Sequence, residues 1–223
     1  MTSRPVRVPF EGGDLSAELT APDDPVALVL VAHGAGAGMR SSFMDGVAEG
    51  FATGGVSALR FNFPYTEAGR KAPDRAPVLM SAWRAALDRG ARLAEGLPLV
   101  ASGKSLGGRI ASMVAAEDRS AFAARALVFF GYPLHAPGRS DQPRDAHLSS
   151  VAVPMLFVEG TNDALAAFEL MGKLVERLSP LARMHVVEGG DHSFRVRGAR
   201  RLDEEIGREL GGVAADFVRE VVD

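Results

Sequence analysis

Leu99-Val100-Ala101-Ser102-Gly103-Lys104-Ser105-Leu106-Gly107-Gly108 runs from a short apolar segment straight into helical periodicity, with one serine at the junction. A sharp strand-to-helix turn of this kind lifts a serine Oγ above the edge of a sheet. Glycines flank such a serine because a side chain at either place would strike the neighbouring strand or helix. Gly103, Ser105 and Gly107 stand in the G-x-S-x-G spacing that this requires. A glycine-rich turn without chemistry is the plainer alternative, and the position between a strand pattern and a helix pattern weighs against it. Gly103-Lys104-Ser105 also imitates the end of a phosphate-binding loop. That loop needs a glycine at position 98, where Pro98 stands, and Leu99 to Ser102 belong to the strand. A nucleotide-binding reading is therefore set aside.

On both sides of this turn, apolar runs with little polar alternation recur: Val26 to Ala32, Val56 to Phe61, Leu97 to Ser102, Arg125 to Phe130, Pro154 to Val158 and Met184 to Val187. Short runs without alternation mark a parallel sheet covered on both faces. Ahead of them, Pro5 to Phe10 and Leu15 to Thr20 read as an antiparallel hairpin. Glu11, Gly12, Gly13 and Asp14 join its arms, the glycines supplying positive φ. Helices are predicted near Ser42 to Thr53, Ala76 to Glu95, Leu106 to Glu117, Leu165 to Leu178 and Asp203 to Val222. In the last, Leu202, Ile206, Leu210, Val213, Phe217 and Val221 recur at helical spacing, a stripe expected to face the sheet. Alternating strands and helices predict a doubly wound α/β layer architecture, a mostly parallel eight-stranded sheet in a single domain over residues 1–223. Ligand sites in such sheets lie beyond the C-terminal strand ends. The long connections there are His33 to Ser41, Phe63 to Arg75 and Tyr132 to Val153, the last expected to form a short cap (132–153) between strands 6 and 7.

Composition narrows the chemistry. A chain of 223 residues, 47% hydrophobic and 24% charged, suits one sizeable core. With 25 basic against 28 acidic residues there is no basic field of the kind that nucleic acid or anionic lipid requires, so neither is expected as a partner. The absence of cysteine removes disulfides, thiolate metal sites and a cysteine nucleophile together. Met1 to Phe10 carries two arginines but no apolar region behind them, so neither a secretory signal nor an anchor is expected and the default compartment is cytoplasmic. The histidines are not paired at metal-ligand spacing. Gly34, Gly36 and Gly38 miss the dinucleotide fingerprint because Met39 stands where its third glycine belongs, so no cofactor and no metal are expected.

A serine hydroxyl is a poor nucleophile unless a base lies within hydrogen-bond reach and a third group orients that base. His192 follows the last strand, at the same sheet edge as Ser105, and is the best base. His185 is expected to pack within its strand. His135 and His147, in the cap, could touch substrate or simply face solvent. Asp163 comes straight after the seventh strand and completes the chain order Ser, Asp, His. Its rivals are weaker: Asp191 adjoins His192 and should point away from it, while Asp141 and Asp145 lie within the cap. Asp163 could also merely cap the following helix. The oxyanion formed on attack needs two backbone N–H donors. Leu106, which opens a helix, supplies one, and Ala35 or Gly36, in the glycine-rich turn, supplies the other. The His33 side chain is expected to be structural.

Leu30-Val31-Ala32-His33-Gly34-Ala35-Gly36, Arg60-Phe61 and Ser102-Gly103-Lys104-Ser105-Leu106-Gly107-Gly108-Arg109 together resemble one branch of the α/β-hydrolases. It is the branch of the testis-expressed protein 30 and NSL-complex subunit 3 domains and their bacterial relatives, near dienelactone hydrolases. Gly131 to Gly138 and Ala146-His147-Leu148 look like its cap, and Gly160 to Asp163 and Gly190 to Phe194 match its acid and histidine segments. The resemblance implies an α/β-hydrolase fold with Ser105, Asp163 and His192 as a triad.

The expected activity is that of a serine hydrolase acting on a small-molecule ester or related acyl compound. Lys104, His135 and Phe194 are candidate substrate contacts, and Lys104 could favour an anionic acyl group unless it points to solvent. A catalytically silent interaction module on the same fold, or an acyltransferase using the same triad, are the alternatives. Oligomeric state and substrate identity are left open.

Overall fold

The computed structural model describes residues 1–11 and 13–222. Eight strands form one sheet: β1 (Thr2–Phe10), β2 (Gly13–Ala21), β3 (Leu28–Ala32), β4 (Ser57–Phe61), β5 (Leu99–Lys104), β6 (Leu127–Phe130), β7 (Met155–Gly160) and β8 (Ala182–Val187). Their order is β1-β2-β4-β3-β5-β6-β7-β8. β2 runs antiparallel to both β1 and β4, and every other pairing is parallel. Pro5 and Pro9 are tolerated in β1 because it is an edge strand. In the hairpin, Gly13 is extended and pairs with Phe10 instead of supplying a positive φ, while Gly12 lies outside the described residues.

Among the described residues six α-helices pack around the sheet: α1 (Ser42–Thr53), α2 (Pro64–Glu67), α3 (Ala76–Leu93), α4 (Leu106–Asp118), α5 (Phe168–Arg177) and α6 (Asp203–Val222). Side chains alternate across each strand, so consecutive apolar residues feed two separate cores. Leu30, Leu59, Ala101, Phe129 and Phe157 pack with α3, α4 and α5, while Val31, Ala58, Val100, Val128 and Val158 pack with α1 and α6. This is why the strand runs show no polar alternation. The sequence pattern misses α2, whose four residues are too few to show periodicity, although Pro64 at its first turn is a start signal. Helix α5 begins at Phe168, three residues later than the pattern suggests.

The apolar stripe of α6 is only partly as expected. Leu202 precedes the helix and is 68% exposed, and Val213 is half-buried. The buried face is instead Ile206, Gly207, Leu210, Gly211, Ala214, Ala215, Phe217 and Val218. Its glycines meet those of α1: a Cβ on Gly207 would lie 2.2 Å from the Phe43 carbonyl oxygen, and one on Gly50 2.2 Å from that of Arg208. Close backbone approach, to which a hydropathy pattern is blind, sets this face. Among the described residues no helix is long and apolar enough to cross a membrane.

Strand order reverses between β3 and β5. The chain leaves β3 for α1 on one face and leaves β5 for α4 on the other, which opens a crevice at their C-terminal ends.

Candidate functional site

Ser105 stands in that crevice between β5 and α4 with φ 49° and ψ −113°, a conformation that costs a non-glycine residue of order 1–3 kcal/mol. The turn is held by close packing on each side. A Cβ on Gly103 would lie 2.3 Å from the Gly108 nitrogen, and one on Gly107 would lie 2.4 Å from the Ala32 carbonyl oxygen. Behind it, the indole of Trp83 on α3 donates to the Gly107 carbonyl at 3.0 Å and meets Phe61 edge-on. This support went unnoticed in the sequence, since nothing local links Trp83 to the turn.

Two further loops converge on Ser105. His192 Nε2 lies 2.9 Å from Ser105 Oγ, and His192 Nδ1 lies 2.7 Å from Asp163 Oδ2. An imidazole protonated on Nδ1 donates to the carboxylate and leaves Nε2 to accept from the serine. The Asp163 carboxylate is buried, and its other oxygen accepts the Leu165 N–H at 2.7 Å, so Asp163 also closes a turn. It is not the helix cap, which falls at Ala167. The loops carrying Asp163 and His192 pack so tightly that a Cβ on Gly160 would lie 2.2 Å from the Gly190 carbonyl oxygen. Of the rival carboxylates, Asp191 accepts the N–H groups of Ser193 and Arg195, Asp145 pairs with Arg177, and Asp141 is exposed.

A cavity of about 390 Å³ opens over Ser105 and His192, within the size range of small-molecule sites. Gly34 and Ala35 line it, and Gly36, at φ 70°, does not. Leu106 opens α4, so its N–H has no partner one turn back within the helix. The opposite wall comes from the start of α1, Ser41 to Met44, with Leu165 and Asp203. The residues of that wall were missed as site residues, although they follow the glycine-rich turn at a strand's C-terminal end. Arg60, only 3% exposed, organises this corner by bonding the Met39 carbonyl, Asp45 and Glu18. His33 is fully buried: it accepts the Phe63 N–H on Nε2 and bonds the Gly34 carbonyl through Nδ1. Burial holds its imidazole below the ordinary value, in keeping with a structural role.

The remaining candidates sit differently. His135 is buried, with Nδ1 on the Ala136 carbonyl and Nε2 accepting the Ala167 N–H, so it pins 132–153 to the start of α5 and has no nitrogen left for substrate. His147 bonds Ser112 on α4 at 2.8 Å, and burial together with nearby Arg109 lowers its pKa to about 4. His185 is half-buried in β8. Among the described residues none of 132–153 lines the cavity; this segment, which connects β6 to β7, packs on α4 through residues 146–150 and the His147–Ser112 bond, and is held at the start of α5 by His135. Phe194 is a core residue, stacked on Phe43, and Phe43 is the aromatic ring that lines the cavity. Lys104 lines it too, but its amino group turns inward to donate to the His192 carbonyl at 2.5 Å.

Glu159, at the end of β7, is fully buried behind these loops. One oxygen accepts the Tyr132 N–H and the other has no partner among the described residues. Burial, with Asp163 nearby, pushes its carboxyl well above the usual range. A carboxylate at the end of an otherwise apolar strand was the available signal for it. Among the described residues no group of three or more His, Asp or Glu side chains converges as a metal ion would need.

Residues 25–219 match the family described as the alpha/beta hydrolase domain. Three solved structures share the architecture along nearly their whole length. The esterase domain of a Rhodothermus marinus protein is 18% identical with a TM-score of 0.76, covering 100% of both chains. A dienelactone hydrolase from Anabaena variabilis is 21% identical with a TM-score of 0.76, covering 100% of this chain and 99% of its own. An alpha-beta serine hydrolase homologue from Coxiella burnetii is 19% identical with a TM-score of 0.74, covering 98% of each chain. At such identities the likeness is one of fold.

Proposed function

The chain belongs to the alpha/beta hydrolase domain family, and on that premise we propose that it hydrolyses a small ester or related acyl compound through an acyl-enzyme on Ser105. The observation that carries this reading is the unbroken hydrogen-bonded line from Ser105 through His192 to Asp163 at the floor of a cavity. Ser105 Oγ attacks the acyl carbon while its proton passes to His192 Nε2. Asp163 holds the imidazole in the required tautomer and stabilises its cationic form. The oxyanion is met by the N–H groups of Leu106 and of Ala35, which lines the cavity as Gly36 does not. His192 then returns the proton to the leaving group, and a water activated by the same imidazole releases the acyl group. Phe43, Met44 and Leu165 give the cavity an apolar wall suited to the acyl chain. The names of the similar esterase and dienelactone hydrolase structures support the class of reaction, and the acyl group itself is left to a substrate panel.

The test is a fluorophosphonate probe with mass-spectrometric mapping. An adduct confined to Ser105 is expected, and a folded protein that stays unlabelled would sink the reading. Product analysis with added alcohols or amines separates hydrolysis from acyl transfer, because the two differ only in what reaches the acyl-enzyme. Asp163→Asn, which keeps the shape but favours the wrong tautomer, is expected to lower kcat by about 10⁴-fold. Steady-state kinetics reads this directly, and a loss under tenfold would remove Asp163 from the proposed triad.

A further inference from the structure

We propose that Lys104 is a positioning residue, tying the strand that carries the nucleophile to the loop that carries the base; this rests on the hydrolase reading above. Ser105 and Lys104 are consecutive, and both grip the same histidine. Ser105 meets the His192 ring at 2.9 Å, and the Lys104 ammonium donates to the His192 carbonyl at 2.5 Å. The turn around His192 is closed by bonds between Asp191 and residues 193 to 195, which shape the loop but do not set its distance from β5. The lysine supplies that link. A charge-assisted bond is roughly twice as strong as a neutral one.

The surroundings are built to receive the ammonium. Its stem passes Gly34, where an added Cβ would lie 3.6 Å from Lys104 Cγ. Its tip lies over the Phe194 ring, 5.1 Å from the centroid, and Phe194 itself is held at φ 64°. Gly131, at φ 66°, clears the last space: a Cβ there would stand 2.8 Å from Lys104 Nζ and 3.4 Å from His192 Cε1. The charged groups that face the ammonium are Glu159 from β7, Asp163 from the loop after it and Asp191 from the loop after β8.

Burial lowers the Lys104 pKa to about 8, against the opposing pull of those three carboxyls. The sign follows: the ammonium is present below pH 8 and lost above it, so the tie weakens as pH rises through that value. The wild type is expected to lose kcat/KM on the alkaline side with a midpoint near pH 8. Lys104→Met is expected to lower kcat by about 10- to 100-fold with KM little changed, and to lack that alkaline midpoint.

Because the chain has no cysteine, Lys104→Cys followed by alkylation with 2-bromoethylamine returns an ammonium at this one position. It is expected to restore activity, with the alkaline midpoint moved to lower pH by the electron-withdrawing sulfur. Independently of turnover, the downfield proton resonance of His192 Nδ1, read in histidine-labelled protein at pH 7, is expected to be present in the wild type, broadened or lost in Lys104→Met, and recovered on alkylation. Circular dichroism confirms that each variant is folded. A folded Lys104→Met that keeps the wild-type resonance and kcat overturns the proposal. A wild type that shows the resonance without turnover instead fails the hydrolase reading, and the resonance still decides the tie.

Discussion

Ser105→Ala is expected to lower kcat/KM for any ester the wild type hydrolyses by on the order of 10⁴- to 10⁶-fold, with an unchanged circular dichroism spectrum. The size follows from what the hydroxyl does: without it no acyl-enzyme forms, and His192 and Asp163 have no proton to move. Residual turnover reflects only the backbone donors and the binding cavity. A second substitution separates chemistry from strain. Ser105 occupies φ 49° and ψ −113°, a region that only glycine enters without penalty. Ser105→Gly is therefore expected to be as inactive as Ser105→Ala but about 1–3 kcal/mol more stable than it in urea unfolding. Ser105→Ala that kept more than a hundredth of wild-type activity would show that the nucleophile lies elsewhere.

The largest stability effect is expected where α1 crosses α6. Gly46, Gly50, Gly207 and Gly211 form a seam in which a Cβ would lie 2.0, 2.2, 2.2 and 2.5 Å from backbone oxygens of the opposite helix. These contacts are with main chain, so no side chain can rotate away and the helices must part. Gly50→Val is expected to cost at least about 3 kcal/mol, which for a domain of this size lowers Tm by roughly 6–12 °C. Gly212→Ala is the control: it lies on the partner helix α6, next to Gly211, with nothing within 4 Å of an added Cβ, and it is expected to gain up to about 1 kcal/mol. Equal melting temperatures for the two variants would refute the account. The seam also bears on the site, because the first residues of α1 form one wall of the cavity.

Local pattern carried the reading of the fold a long way. The short apolar runs, the helical periodicities and the glycine spacing around Ser105 are short-range consequences of side-chain alternation and backbone sterics, so they are visible in one dimension. The same is true of the order Ser105, Asp163, His192, because each residue follows a strand and all parallel strands end at one edge. Where several residues met a similar local description, pattern could not choose between them. His135, His147 and His192 all lie in connections that follow strands, yet only the last meets Ser105, while the first two bind the fold together. Nor could composition tell that Phe43 rather than Phe194 faces the cavity.

By itself, then, the sequence determined the eight strands, the five longer helices, the sharp turn at Ser105 and the candidate acid and base. Only the tertiary structure decided the direction of Lys104, the buried place of Glu159, the glycine seam and the packing of 132–153 on α4. The physical reason is range. Strand, helix and turn formation depend on neighbours within a few residues, whereas each of the second set depends on a partner brought close through space: His192 lies 87 residues from Ser105 along the chain, and its carbonyl receives the lysine next to that serine.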